Sequence, residues 1–281
     1  MVTPGGAALR RAWRDRRGRA GLLVLAIVTA AALFAPPFLP DPSEQPDPVG
    51  GANRPPSLGH PFGTDPLSRD VLSRVVTGAQ VSLAVGFLAV GLSVTLGAAV
   101  GLVSGYLGGA VDAALMRLVD AALAIPRLFL LLLLLAADWR VPVTALILII
   151  GTTGWFNAAR LVRGEVLRLR EEFYVTAAEA LGARRGRIIF RHLLPNALGP
   201  LLVAATLGVG DVILLEAGLS FLGLGIQPPT PSWGGMILDG KPFLATAPWV
   251  GLFPGLAIVV TVLSANLLGD ALRDAVDPRG A

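Results

Sequence analysis

The chain has 281 residues, of which 54% are hydrophobic and 15% are charged, and its mean hydropathy is +0.69. Soluble domains of this length carry more charge and less apolar content. The net charge is +4, but the arginines lie in segments beside apolar stretches, which argues against a nucleic-acid partner. The chain has no cysteine, which excludes disulfides, thiolate zinc sites and cysteine nucleophiles, and its two histidines leave little room for a histidine metal cluster.

Long apolar stretches dominate the chain, and the longest without a charge are 20–39, 79–111, 141–159 and 249–269. About 20 apolar residues in a helix cross a hydrocarbon core of roughly 30 Å, so each stretch is long enough to span a membrane. With two further stretches that contain charges, the pattern predicts six spans, at 20–40, 80–106, 111–137, 141–161, 197–222 and 249–270.

The N-terminal segment 1–19 is rich in arginine and precedes the first apolar run. A basic segment before an apolar run is also typical of a cleavable signal peptide. A retained helix over 20–40 is favoured because the uncharged run extends to Leu39, beyond the usual length of a signal-peptide core. The polar, proline-rich segment 41–78 is then expected to be an extracytoplasmic loop, and 79–270 a five-helix core.

Small residues recur at four-residue spacing along the second predicted span, at Ser93, Gly97, Gly101, Gly105 and Gly109. Small residues on one helix face let a second helix approach closely, where lipid gives no hydrophobic drive for association. The pattern favours a tight contact inside this chain over a dimer of two such helices.

Charged residues inside membrane spans mark functional sites by default, because their burial in lipid is costly. Arg117 and Asp120 are three residues apart in the third span and are expected to pair, either structurally or as part of a path through the membrane. Asp211 and Glu216 in the fifth span either support helix packing or meet a cationic ligand.

The distribution of basic residues predicts the orientation of the chain. The segment 160–196 contains eight arginines, whereas 223–248 contains one basic residue, Lys241. Because basic loops stay on the cytoplasmic side, six spans put 160–196 and both termini, including 271–281, in the cytoplasm.

The segment 160–196 is too long for a simple connector and has helical periodicity of its own. Apolar residues at steps of three or four predict one stripe on one helix, at Val166, Leu169, Phe173, Ala177 and Leu181. Gly182 is expected to end this helix with a positive φ, and 184–193 to form a second short segment. Physical reasoning alone leaves two possible contacts for such a hairpin: it could rest on an anionic lipid surface or dock onto a soluble partner.

The sequence from Tyr174 to Asn196, YVTAAEALGARRGRIIFRHLLPN, resembles the EAA loop of ABC importer permeases. In that family, the loop (163–195 in this chain) is a coupling hairpin that sits in a cleft of the ATPase subunit. The resemblance implies that the coupling residues are Thr176, Ala177, Ala178, Leu181, Gly182, Ile188, Leu194 and Pro195. Thr176 stands where the family has glutamate, and a threonine cannot make the charge contact of that glutamate.

Three further stretches, 60–74, 219–234 and 268–279, resemble the dipeptide, oligopeptide and nickel permeases, and among them the C-type subunit. The four blocks occur in the family's order, and the resemblance covers about residues 20–281. It implies an all-α membrane protein with six transmembrane helices and the type I ABC importer fold, similar to the methionine importer, with a cytoplasmic coupling hairpin.

The resemblance also implies a function, the import of peptides by alternating access across a bacterial or archaeal cytoplasmic membrane. The expected partners are a second homologous permease subunit, two ATP-binding subunits and an extracytoplasmic solute-binding protein. The chain is expected to bind no cofactor and to catalyse no reaction. Lys241 is its only lysine, and the sequence contains no phosphate-binding loop. ATP and Mg would therefore be bound by the partner ATPases. Arg117, Asp120, Asp211 and Glu216 are the candidate residues of the translocation path. Import of nickel or another small solute and, in a different class, a secondary transporter are the alternatives.

Overall fold

The computed structural model describes Trp13 and residues 15–47, 50–136 and 141–276. These residues are helical apart from loops and one isolated bridge between Thr64 and Asp70. The helices are α1 Arg16–Phe34, α2 Val71–Leu107, α3 Gly109–Leu123, α4 Arg127–Leu135, α5 Val143–Thr152, α6 Trp155–Arg170, α7 Phe173–Ala180, α8 Arg185–Ile188, α9 Leu194–Phe221, α10 Trp233–Gly240 and α11 Trp249–Val276. A π-helical turn, Ile189–Leu193, joins α8 to α9.

Five helical units are long and apolar enough to cross a membrane: α1, α2, α5 with α6, α8 with α9, and α11. Helices α3 and α4 make a sixth span only if a pair bent by 77° is counted as one. The span predicted over 111–137 is therefore not one straight helix, because it is broken into α3 and α4. Proline lacks the N–H that would continue the helical bonding, and Pro126 precedes the first residue of α4. Residue 137 lies outside the described residues.

Helix α2 begins earlier than predicted, at Val71, because Asp70 caps it by accepting a hydrogen bond from the Ser73 N–H at 2.8 Å. Part of the segment assigned to the loop 41–78 is thus helical. The predicted terminal segments, 1–19 and 271–281, lie partly outside the described residues, which leave out 1–12, Arg14 and 277–281. Residues 271–276 continue α11.

Helix α2 lies at the centre of the bundle and packs against α1, α5, α6 and α9. Its closest neighbour is α6: a Cβ on Gly97 would lie 2.5 Å from the Ala158 Cβ, and one on Gly101 would lie 2.6 Å from the Ala159 carbonyl oxygen. The small-residue face therefore makes the predicted contact inside the chain.

The two ends of the bundle carry different structures. One end, here called the α10 end, holds α10 and the residues between α1 and α2, which are joined by a buried charge cluster. Asp65 and Arg69 form an ion pair at 2.6 Å, and Asp239 of α10 lies 3.3 Å from Arg74. Burial raises the pKa of Asp239, although Arg74 and Arg69 act in the opposite direction. The other end, the hairpin end, holds α7 and α8.

Candidate coupling hairpin and membrane-depth cavity

The turn of the hairpin is a helix C-terminus with a left-handed residue. Helix α7 ends at its C-cap, Leu181, and Gly182 follows with a φ of +77°, as predicted. The Ala183 N–H then donates to the Ala178 carbonyl at 3.0 Å, which closes the helix end. The chain reverses here into α8 and continues through the π-helical turn into α9.

A small apolar core fixes the hairpin to the bundle. Val175 of α7, Ile188 of α8 and Leu193 of the π-helical turn are buried, and they belong to one cluster with Val166 and Leu169 of α6. The hairpin is thus packed onto the transmembrane helices, and its inner residues serve this packing.

The single apolar stripe predicted over 166–181 is wrong, because α6 ends at Arg170 and α7 begins at Phe173. The break rotates the second half of the stripe away from the first. Val166 and Leu169 face the core, whereas Phe173 and Leu181 are 85% and 88% exposed. Two large apolar side chains therefore stand free at the hairpin end.

The predicted coupling residues divide into an outer and an inner group. Thr176, Leu181 and Gly182 are exposed, Ile188 is buried, and the remaining members, Ala177, Ala178, Leu194 and Pro195, are half-buried. An open cleft between α7 and α8 has a volume of about 1050 Å³, and its lining includes Ala178, Leu181, Gly182, Arg184, Arg187 and Arg191. The outer face is therefore apolar at its tip and basic beside it.

Asp211 and Glu216 have different environments, although both lie on α9. Glu216 is fully buried and accepts hydrogen bonds from the Ser220 hydroxyl at 2.7 Å and the Ser82 hydroxyl at 3.3 Å. Asp211 is exposed and lines a cavity together with Arg127. Five residues correspond to a rotation of about 140° around a helix, so the two carboxylates point to different faces. Glu216 therefore ties α9 to α2 and does not line this cavity.

Comparison with known proteins agrees with this architecture. Residues 97–280 match the family described as binding-protein-dependent transport system inner membrane component. Residues 3–56 match the N-terminal TM domain of oligopeptide transport permease C. The chain belongs to this permease family.

Relatives are similar over almost the whole chain. The dipeptide transport system permease protein DppC of Alkalihalophilus pseudofirmus is 42% identical over 99% of this chain and 91% of its own length. The oligopeptide transport system permease proteins OppC of Bacillus subtilis and of Haemophilus influenzae are 40% and 38% identical, each over 97% of this chain and 88% of their own length. As a member of this family, the chain is a multi-pass inner-membrane transport component.

Two arginines of α6, the helix that precedes the hairpin, bind α2 and α3 in this permease. Arg163 binds Asp112 of α3 with two hydrogen bonds of 2.6 Å. Arg170 donates to the Gly105 carbonyl at 3.1 Å and lies over the Tyr106 ring at 5.6 Å. These contacts fix the end of α6, from which the hairpin follows, to α3 and to the end of α2.

The ion pair predicted between Arg117 and Asp120 is wrong. Asp120 binds Arg160 of α6, and the Arg117 side chain is exposed. Spacing along α3 allows the predicted pair, but α6 brings a second arginine to the same carboxylate. Both members of the observed pair are about half exposed, so it adds little to stability.

Proposed function

We propose that this chain is a permease subunit of an ATP-driven peptide importer and forms half of the translocation path. The relatives named as dipeptide and oligopeptide transport permeases support this substrate class, because the similarity extends over nearly the full length of both chains. Transport would proceed by alternating access, in which the bundle opens to one side of the membrane at a time.

The coupling hairpin is the observation that carries the proposal. Its inner residues Val175 and Ile188 are buried against the bundle, whereas Phe173 and Leu181 are apolar residues exposed on its outer face. A rigid element with a free apolar tip is suited to insertion into a cleft of a soluble ATPase subunit. Nucleotide binding by two such subunits would bring two hairpins together. This would favour the outward-facing state, because the nucleotide would bind the ATPase subunits more tightly in that state.

The remaining partners follow from the family. A second, homologous permease chain would complete the path, and an extracytoplasmic solute-binding protein would deliver the peptide at the α10 end. ATP and Mg would be held by the ATPase subunits, so this chain would hydrolyse nothing. Both termini and the hairpin would lie in the cytoplasm, because the hairpin segment carries the arginine-rich sequence.

Substitution at Ala178 tests the docking of the hairpin. Ala178 is half-buried and lines the cleft between α7 and α8, where a small side chain permits close approach of a partner. We expect Ala178→Arg to abolish peptide uptake and the stimulation of ATP hydrolysis, and to leave the amount of chain in the membrane unchanged. Ala178→Ser is the matched control, since its side chain stays small, and it should retain uptake.

Uptake of a labelled dipeptide, a longer peptide and nickel by the reconstituted complex tests the substrate class at the same time. Normal substrate-stimulated ATP hydrolysis in the Ala178→Arg complex would contradict docking through this face. Uptake of nickel without uptake of either peptide would contradict the peptide assignment.

A further inference from the structure

The cavity beside Asp211 lies at membrane depth, where two spans are interrupted. It has a volume of about 270 Å³, and its lining includes Ser93, Arg127, Gly154, Asn157, Ala204 and Asp211. One interruption separates α3 from α4 before Arg127, and the other separates α5 from α6 at residues 153–154. Ser93 and Asp211 come from the middle of α2 and α9, so residues distant in sequence form this cavity.

Among the described residues, the Arg127 side chain donates one hydrogen bond, which leaves other donors of its guanidinium free. Its Nη2 donates to the Ile150 carbonyl, at the end of α5, at 2.8 Å. Gly154 makes room for the guanidinium, because a Cβ there would lie 2.7 Å from the Arg127 Nη2. The Nε is buried and has no partner among the described residues. A guanidinium has five N–H donors, so the bond to Ile150 uses a small part of its capacity.

Asp211 faces the same cavity with the opposite charge. Its carboxylate acts electrostatically on Arg127, yet within the described part of the chain no ion pair joins the two side chains. Arg127 is half-buried without an anionic partner among the described residues, so its charge carries a desolvation cost, whereas Asp211 is exposed to the cavity. A ligand with one cationic and one anionic group would give Arg127 the missing anion and Asp211 a cation.

We propose that this cavity is a subsite for the charged ends of a short peptide. Asp211 binds the α-ammonium group, and Arg127 binds the α-carboxylate through its free donors, a pairing that guanidinium geometry favours. This inference rests on the proposed peptide transport and adds to it the chemistry that is recognised inside the membrane. If Arg127 only satisfied the Ile150 carbonyl, the site would not distinguish free peptide ends from blocked ones.

A single thiol can report on occupancy of the cavity, because the chain has no cysteine. Ala204→Cys, introduced into the assembled transporter in membrane vesicles, places a thiol in the cavity lining. The measurement is the rate at which a cationic methanethiosulfonate modifies this chain. We expect dialanine at millimolar concentration to slow the reaction about tenfold, as expected for a ligand that fills the site well above its Kd. N-acetylalanine amide, which has no charged ends, should not slow it.

Substitutions then assign each peptide end. On the Ala204→Cys background, Asp211→Asn should remove the advantage of dialanine over N-acetyl-dialanine. Arg127→Gln should remove the advantage of dialanine over dialanine amide, and Arg127→Lys should retain part of it. Glu216→Gln is the matched control on α9, because Glu216 is buried away from the cavity and its loss should leave protection unchanged.

Three results would overturn the subsite: equal protection by dialanine and N-acetylalanine amide, unchanged protection after Asp211→Asn, or no modification of the thiol in any nucleotide state. ATP-dependent uptake of dialanine by the same preparation separates this inference from the proposed function. Uptake without selective protection would refute only the subsite. Failure to take up any peptide would refute the proposed function itself.

Discussion

At the scale of single residues, glycines set the distance between α2 and α6. A Cβ on Gly101 would lie 2.6 Å from the Ala159 carbonyl oxygen and 2.8 Å from the Val162 Cβ, both on α6. Real Cβ atoms do not approach other atoms this closely, so any larger residue must push the helices apart. A Cβ on Gly91 of the same helix would meet no neighbouring atom within 4 Å, and the two glycines therefore have different roles.

We expect Gly101→Ala to destabilise the fold by about 1–3 kcal/mol, the usual range for overpacking. Gly91→Ala should be neutral or slightly stabilising, because alanine favours a helix over glycine by about 1 kcal/mol. The measurement is the temperature at which the detergent-purified chain stops eluting as a single species. Equal temperatures for the two variants would show that the α2–α6 contact does not require a glycine at position 101.

At the scale of elements, buried charges order the segment between α1 and α2. Asp65 is 2% exposed, and its carboxylate accepts from the Leu67 and Arg69 N–H groups at 2.8 and 2.9 Å and from the Arg69 Nε at 2.6 Å. Arg69 and Arg74 also reach Asp239 of α10. The cluster thus joins the segment between α1 and α2, and the start of α2, to helix α10.

Removal of Arg69 should loosen this end of the molecule. We expect Arg69→Leu to cost about 3 kcal/mol, the low end for a broken buried pair, because the buried Asp65 carboxylate keeps only Arg74, at 3.5 Å, as a cationic partner. Arg54→Leu is the control: Arg54 and Asp47 form a pair in which both side chains are more than half exposed, and its loss should cost at most about 1 kcal/mol. Limited proteolysis of residues 41–70 measures the difference, and equal cleavage rates would argue against the cluster as the ordering element.

At the scale of the whole molecule, the proposed function requires the two ends of the bundle to face opposite sides of the membrane. Leu181 at the hairpin end is 88% exposed, and Leu58 at the α10 end is completely exposed. Neither side chain is packed within this chain, so a cysteine at either position should leave its fold intact. The arginine-rich hairpin segment predicts which end is cytoplasmic.

Single-cysteine labelling tests this orientation in a chain that has no cysteine of its own. In vesicles that contain the permease without its ATPase subunits, a membrane-impermeant maleimide should label Leu181→Cys only when the vesicles are inside-out and Leu58→Cys only when they are right-side-out. Labelling of both positions from one side would contradict the arrangement of the spans. The reverse pattern would put the hairpin outside the cell and remove any contact with an ATPase.

Features that depend on neighbouring residues could be predicted from the sequence. Apolar length predicted the membrane spans, the spacing of Gly97, Gly101 and Gly105 predicted a close helix contact, and Gly182 predicted the hairpin turn. The motif between Tyr174 and Asn196 predicted the family. Each of these signals is contained in one short segment, where local backbone preference and hydrophobicity dominate.

Features that depend on helices distant in sequence were decided only by the tertiary structure. Packing of α6 against α3 gave Asp120 the partner Arg160, and the approach of α2 to α9 buried Glu216 against Ser82. The breaks in two spans brought Arg127 into a cavity with Asp211. Spacing along one helix shows which side chains share a face, but the partner of a charge is selected by whichever helix packs against that face.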